Sequence, residues 1–510
     1  MAIPIKLRRS SSGATSRTSN ATEKPGFTEP KINERHLLLK IDIFVLSFVC
    51  LQYWINYVDR VSFGNAYVTG MKKDLDLKGN EFNLINTCFT IGYILGMLPN
   101  NLILLKVQPR LWLSLCTFLW GILTLAMYRA NSFRYCCAIR FFQAIFESCT
   151  FSGTHLILGS WYREDELPIR SAIFTSAGLV GSMTSGLMQV AIFNAMDGTR
   201  GLAGWRWLFI IDFLITLPIA AYGYLFFPGT PDHTIRSAKT LLFSEQELRY
   251  AKSRLPIRDE TTRLDFSVFK RVLGRWHWWL LSFLWILGGE NISFASNVTF
   301  SLWLTNQGYD ITARNHYPIG IYAVGIAATF LFAAYLNKVR IARHWHIAVI
   351  LAMLLCVVAI LIRVDPLNHA MMFTAQYLGG VAYAGQAVFF SWANVICHND
   401  IQERAIVLAS MNMFSGAVNA WWSLLFYSAT QVPRFKEGAY ALIATSIGSA
   451  IMSVIIRVLQ VREVKHRLNN LSTQLNYIDA NTAISDDGED DENIYLEYPS
   501  LPSPSRAIKQ

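Results

Sequence analysis

Charge is what this 510-residue sequence has little of. Only 16% of its residues are Asp, Glu, Lys or Arg, against 53% hydrophobic ones, and the mean hydropathy is +0.30. A soluble chain of this length carries nearer about a quarter charged residues, so the soluble globular classes are excluded. Metal and disulfide spacings are missing too. The eight cysteines (Cys50, Cys88, Cys116, Cys136, Cys137, Cys149, Cys356 and Cys397) form no C-x-x-C pair and lie in or beside apolar runs. They read as small hydrophobes rather than ligands or bridges. His344-x-His346 is the one histidine pairing and sits in a short basic loop. No nucleophile–base pairing and no phosphate loop is present, so no enzyme chemistry, metal or organic cofactor is expected. No signal-peptide core precedes the first apolar run.

Twelve apolar runs of about 20 residues, each long enough to span a bilayer, are what the sequence does contain. They fall at about 41–66, 82–105, 111–129, 134–160, 170–193, 207–227, 276–303, 317–337, 345–363, 371–396, 403–429 and 437–459. Around them, residues 1–40 are polar and basic and read as a disordered cytosolic tail. Residues 229–275 form a basic central cytosolic loop, in which Ser244-Glu245-Gln246-Glu247 has the capping-box form that starts a short helix. Residues 461–510, with an acidic run from Asp486 to Glu492, read as a second disordered cytosolic tail. With both termini inside, 32 of the 45 Lys and Arg fall in cytosolic segments. The formal net charge of +10 is then a positive-inside bias, not a nucleic-acid surface.

The two halves repeat. Ser160-Trp161 recurs 231 residues later as Ser391-Trp392, each pair ending the fourth run of its half, and Arg170 recurs as Arg404 at the start of the fifth. Six spans, a basic linker and six more spans in parallel is the major facilitator plan. The expected fold is therefore an all-α polytopic membrane protein: twelve transmembrane helices in two six-helix bundles, residues 41–228 and 276–460.

Charges inside the spans mark candidate sites, because each costs several kcal/mol at bilayer depth. Arg140 and Glu147 are seven residues apart, about 20° from one face and roughly 10 Å along the axis. Asp59 and Arg60 lie in the first span. In the seventh, Gly288-Gly289-Glu290-Asn291 joins a helix-weakening pair to a buried acid. Gly178, Gly181 and Gly186 predict close helix approach in the fifth span. Asp212 reads as structural, near the outer end of the sixth. Tyr57, Gln143, Asn394 and Asn412 are candidate polar liners. The Trp421-Trp422 pair reads as packing.

Several segments together resemble the fungal allantoate-permease branch of the anion:cation symporter family: Asn56-Tyr57-Val58-Asp59-Arg60, Arg140 to Glu147, Ser160-Trp161-Tyr162-Arg163-Glu164-Asp165-Glu166-Leu167 and Gly204-Trp205-Arg206-Trp207-Leu208-Phe209. The likeness covers roughly residues 35–465. It implies proton-coupled import of a small carboxylate at the plasma membrane, with the proton as coupling ion and pantothenate as the first candidate. Nicotinate, allantoate or biotin are alternatives, and a non-transporting nutrient sensor is a more remote one. One facilitator motif departs: after the second span the chain reads Pro99-Asn100-Asn101-Leu102-Ile103-Leu104-Leu105-Lys106, without the usual Asp, so no gating salt bridge is inferred from it.

A carboxylate substrate calls for an arginine, which stays charged and offers two parallel donors. Arg140 is the expected main anchor. Arg60 is a second anchor or the partner of Asp59. Gln143, Tyr57, Glu290 and Asn291 are expected to contact substrate. Glu147 and Asp59 are the expected proton carriers, each beside an arginine that substrate could draw away.

Overall fold

The computed structural model describes residues 33–485 except 79–80, 232–241, 256–265, 295–296, 310–312, 314–315, 340–343, 366–367 and 427–435. The described residues are helical, with no strand among them. In the first half the spans are α1 (Glu34–Ala66), α2 (Glu81–Lys106), α3 (Pro109–Arg129), α4 (Phe133–Glu147 continued by Cys149–Trp161), α5 (Leu167–Met196) and α6 (Gly204–Phe226). In the second they are α7 (Trp276–Phe294 followed by Asn297–Asn306), α8 (Ile319–Val339), α9 (Trp345–Val364), α10 (His369–Gly379, a tight turn Gly380–Tyr383, then Ala384–Ile396), α11 (Ile401–Phe426) and α12 (Lys436–Ser485). Eight of these are unbroken and apolar enough to cross a membrane alone. The other four are α4, α7, α10 and α11. Of those, α4 and α10 are interrupted among the described residues, α7 includes residues 295–296 outside them, and α11 opens on the charged Glu403 and Arg404. Broken or polar spans belong where neighbouring helices, not lipid, meet the backbone.

Helix pairings repeat between the halves. In the first, α1 packs on α5 and α3 on α6; in the second, α7 packs on α11 and α9 on α12. Between halves, α2 meets α11 and α5 meets α8, the pair of contacts that exchange under a two-fold axis. The Ser-Trp repeat obeys the same symmetry. Trp161 Nε1 donates to the Gly229 carbonyl at 2.7 Å, and Trp392 Nε1 donates to Gln460 Oε1 at 3.3 Å, each across 68 residues of sequence.

Glycines set how closely the helices approach. A Cβ at Gly92 of α2 would fall 2.3 Å from the Phe141 carbonyl of α4, and one at Gly181 of α5 would fall 2.5 Å from the Trp54 carbonyl of α1. Gly178 likewise faces Tyr53 and Tyr57, but Gly186 has nothing within 4 Å and plays no such part. Gly288 and Gly289 do not weaken α7, which runs through them. Their missing side chains admit Phe389 and Ser415 instead.

Both tails need correction. Residues 34–40 are helical, capped where Asn33 Oδ1 accepts the Arg35 N–H at 3.1 Å, and residues 1–32 lie outside the described ones. Helix α12 continues past the expected boundary to Ser485, 50 residues in all and about 75 Å long at 1.5 Å per residue. The acidic run from Asp486 lies outside the described residues. Hydrophobic patterning misses such an extension because a polar helix carries no apolar face to detect.

The central loop is docked rather than loose where it is described. The expected helix forms at Glu245–Ser253 with both capping-box bonds, Glu247 N–H to Ser244 Oγ at 3.1 Å and Ser244 N–H to Glu247 Oε2 at 2.9 Å. A second helix, Phe266–Leu273, was not foreseen. Lys40 Nζ reaches Glu247 Oε1 at 2.7 Å, Arg254 Nε reaches Glu34 at 3.0 Å, and Arg254 also pairs with Glu166. Burial pulls the Glu247 carboxyl up, but Lys40 and the Ser244 N–H outweigh it and hold the group below its ordinary 4.5. A carboxyl held low stabilises the fold above its unfolded value, and that stability is lost as pH falls through the folded value. The protection factor for amide exchange across residues 245–253, corrected for the intrinsic pH dependence, should therefore fall below about pH 4 while that of the middle of α1 is kept. Lys40→Met should weaken this pH step; an unchanged step in that variant would reject the contact.

Candidate polar site in the first bundle

Helices α1 and α4 bring together five of the eight nominated residues: Arg60, Arg140, Gln143, Glu147 and Tyr57. Asn56 and Arg60 are one turn apart on α1 and so share a face. Gln143 and Glu147 are one turn apart on α4. Glu147 is fully buried and accepts from three side chains: Asn56 Nδ2 at 3.0 Å, Arg60 Nε at 3.3 Å and Gln143 Nε2 at 2.8 Å. Gln143 Nε2 also lies 3.1 Å from Thr124 Oγ1, and its Oε1 accepts from Arg140 Nη1 at 3.4 Å.

Two expected pairings are overturned. Arg60 is not the partner of Asp59. It reaches Glu147 on the neighbouring helix, and Asp59 Oδ2 instead accepts from Trp120 Nε1 of α3 at 3.0 Å. Successive side chains on a helix diverge by about 100°, so adjacent residues face different neighbours. Nor does Arg140 pair directly with Glu147; it reaches that residue only through Gln143. Its guanidinium lies over the rings of Phe89 at 4.1 Å and Phe63 at 4.8 Å, is 3% exposed, and makes no salt bridge among the described residues. Its Nε has no hydrogen-bond partner. Arg60 lies 4.4 Å over Tyr93, with Nη2 also unpartnered. Aromatic faces stabilise a cation without consuming its N–H donors. Two arginines with donors unspent thus stand beside one carboxylate.

Tyr57 sits at the boundary of the two bundles. Its hydroxyl lies 3.3 Å from Tyr53, and it is close enough to Tyr322 and Tyr383 of the second bundle to interact with both electrostatically. Glu290 and Asn291 belong to a second polar cluster. Glu290 accepts from Asn419 of α11 at 3.2 Å, and Asn291 bonds Ser446 of α12. Asn291 is thereby an interhelical hydrogen bonder. Asn56, Trp120, Thr124, Phe89, Tyr93 and Asn419 were not nominated from the sequence. Asn56 alone had a signal, its one-turn spacing from Arg60.

Beyond the site, the ends of the bundles carrying the Ser-Trp repeats lock together. Arg404, at the start of α11, donates from Nη1 to the Gly159 carbonyl and from Nη2 to Ser160 Oγ, both at 2.8 Å. Its sequence counterpart Arg170 does not cross. It binds Asp42 of α1 at 3.1 Å. Nearby, His277, Cys397 and Glu403 are buried with donor atoms within 4.8 Å of one another. Both imidazole nitrogens are already engaged, by Glu403 at 2.7 Å and Glu463 at 2.9 Å, and Arg275 also pairs with Glu403. The set is thus a salt-bridge network joining α7, α11 and α12.

Residues 49–423 match the profile of the Major Facilitator Superfamily. A pantothenate transporter of Saccharomyces cerevisiae is 65% identical over 465 residues, covering 90% of this chain and 89% of that protein. A pantothenate transporter of Schizosaccharomyces pombe is 39% identical over 431 residues, covering 84% and 83%. Among solved structures, the proton:xylose symporter XylE superposes with a TM-score of 0.63 over 83% of this chain and 96% of its own. At 12% identity that likeness bears on the fold alone.

Proposed function

The chain belongs to the Major Facilitator Superfamily, and from that membership we propose that it imports pantothenate with protons across the plasma membrane, both termini lying in the cytosol. It is a transporter, not an enzyme. The substrate reading is supported by the two pantothenate transporters, which match along nearly their whole length. The observation that carries the mechanism is the buried, cation-rich site. Arg140 has no carboxylate partner among the described residues, while Glu147 holds Arg60, Asn56 and Gln143.

A substrate carboxylate binds Arg140 through two N–H donors and competes with Glu147 for Arg60. As Arg60 turns to the substrate, Glu147 loses its one ion-paired cation. A buried carboxylate without a cation favours its neutral form, so Glu147 takes a proton from outside. The loaded site is then closer to neutral, and its bundles can rock past each other. Release inside frees Arg60, which returns to Glu147 and expels the proton. Gln143 and Asn56 position Glu147, and Gln143 also joins it to Arg140. Tyr57 and Glu290 are the proposed contacts for the substrate's uncharged end.

Labelled pantothenate uptake in cells lacking their own carrier should rise as external pH falls and collapse on addition of an uncoupler. Uptake indifferent to both would reject proton coupling. Competition by unlabelled nicotinate, allantoate or biotin at concentrations matching pantothenate would reject the substrate.

A further inference from the structure

His277 stands at the cytosolic end of α7, is 3% exposed, and has no part in the mechanism above. Its Nδ1 lies 2.7 Å from Glu403 Oε1 of α11, and its Nε2 lies 2.9 Å from Glu463 Oε2 of α12. Each carboxylate has other donors as well. Arg275 pairs with Glu403. Arg467 Nη2 lies 3.0 Å from Glu463 Oε1, and Trp276 Nε1 donates to Glu463 Oε2 at 3.1 Å. The remaining charged or titratable groups around the ring are Asp400 and Arg404 of α11, Cys397 at the end of α10, and Arg271 of the helix before α7, which reaches Asp400 at 2.9 Å.

Counting hydrogens fixes the charge of the ring. A neutral imidazole has one N–H, its other nitrogen being an acceptor, and an ionised carboxylate only accepts. With a neutral ring, one of the two short contacts would set a lone pair against a lone pair. The extra hydrogen belongs on the ring rather than on an acid, because each acid already accepts from an arginine, which binds the ionised form. We propose that His277 is an imidazolium at neutral cytosolic pH and a positioning residue for Arg404. While charged, it pins the first turn of α11 so that Arg404 reaches the first bundle; loss of its proton to the cytosol loosens that contact. Asp400 Oδ1 caps the same turn, accepting the N–H groups of Gln402 and Glu403 at 3.0 and 3.1 Å. Glu403 and Arg404 are neighbours and diverge by about 100°. One is therefore turned to α7, and the other crosses to the Gly159 carbonyl and Ser160 Oγ. A first turn that rotates to free Glu403 swings Arg404 with it. The sign follows: the contact holds while the ring is protonated and is lost as cytosolic pH rises through its titration. None of this depends on which anion is carried.

The test uses the full-length protein in lipid nanodiscs, without substrate. Nitrogen NMR of ring-labelled histidine, with His277 assigned by difference from His277→Gln, should show both ring nitrogens protonated at about pH 7, above the ordinary histidine value of about 6.5. One protonated and one bare nitrogen would overturn the proposal. The cytosolic separation of the bundles is read by pulsed electron paramagnetic resonance. Spin labels go on Lys106→Cys and Lys338→Cys, exposed at the ends of α2 and α8, with the half-buried Cys50, Cys88 and Cys137 replaced by serine. Between about pH 6 and about pH 9, a range bracketing the histidine titration, the long-distance population should grow at least about threefold. His277→Gln, which has one amide donor group and no charge, should show that population throughout. His277→Arg, a cation at every pH tested, should stay closed and lose the pH step. In an Arg404→Ala background, His277→Gln should open the carrier no further. A pH step that persists in His277→Gln, or opening that adds to that of Arg404→Ala, would overturn the role, as would a closed carrier at about pH 9.

Discussion

Glu147→Gln is expected to abolish uphill accumulation of pantothenate while leaving exchange between internal and external substrate partly intact. Glutamine keeps the size and one acceptor oxygen of glutamate, but it can neither bind nor release a proton at physiological pH. Its amide also turns donors toward a pocket already furnished with donors, from Asn56 at 3.0 Å and Gln143 at 2.8 Å. Arg60 then loses its carboxylate and stays available to substrate through the whole cycle. Translocation of the loaded carrier needs no proton at this site, so exchange persists; net import does. For a monoanion entering against 100 mV the penalty is about 2.3 kcal/mol, roughly a fifty-fold concentration ratio, and the variant should fall below an inside-to-outside ratio of one. Proteoliposomes with an imposed pH gradient provide the measurement. Normal accumulation by Glu147→Gln would remove this residue from coupling. Loss of exchange along with accumulation would make its role one of holding Arg60, not of carrying a proton.

The second large effect is expected at the opposite end of the site. Arg404 is buried and spans the two bundles through the Gly159 carbonyl and Ser160 Oγ, each at 2.8 Å. A hydrogen bond to a charged group contributes about 1.5–3 kcal/mol, enough to move a two-state equilibrium by one to two decades. Arg404→Ala should therefore weaken closure of the cytosolic side and bias the carrier inward. Uptake should drop about tenfold or more at unchanged surface amounts. Cys397, 1% exposed at the end of α10, should become reactive to a permeant maleimide in a background without the other cysteines. Gly159→Val should do the same by wedging: a Cβ at Gly159 would fall 2.3 Å from Asn394 Oδ1. If Cys397 stays protected and uptake stays normal in both variants, the Arg404 contact is not a gate.

The pairing of side chains differs from the sequence expectation for one recurring reason. Spacing along a helix says which residues share a face, and it puts Arg140 and Glu147 about 20° apart. It does not say which neighbouring helix that face meets. Asp59 and Arg60 are adjacent in the chain, yet one turns to Trp120 and the other to Glu147. The same limit separates Arg170 from Arg404. They are equivalent by repeat, but only Arg404 crosses between bundles.

Some features were fixed by local chemistry and were legible in the sequence. Twelve apolar runs and a charge bias between loops set the all-α membrane architecture, since hydrocarbon leaves the backbone few alternatives to helix. The Ser-Trp repeat announced the two-fold plan, and Ser244 with Glu247 announced a capped helix. The buried charges announced a site, because no membrane span carries arginine and glutamate without a partner or a task. The tertiary structure alone decided the rest: Arg60 on Glu147, Arg140 left over aromatic rings, and Asn291 turned to Ser446. Each of these joins residues from different helices. Which helices touch depends on shape, on glycines such as Gly92 and Gly181 that let backbones meet, and on the packing of whole bundles. None of that is written in the spacing of any single span.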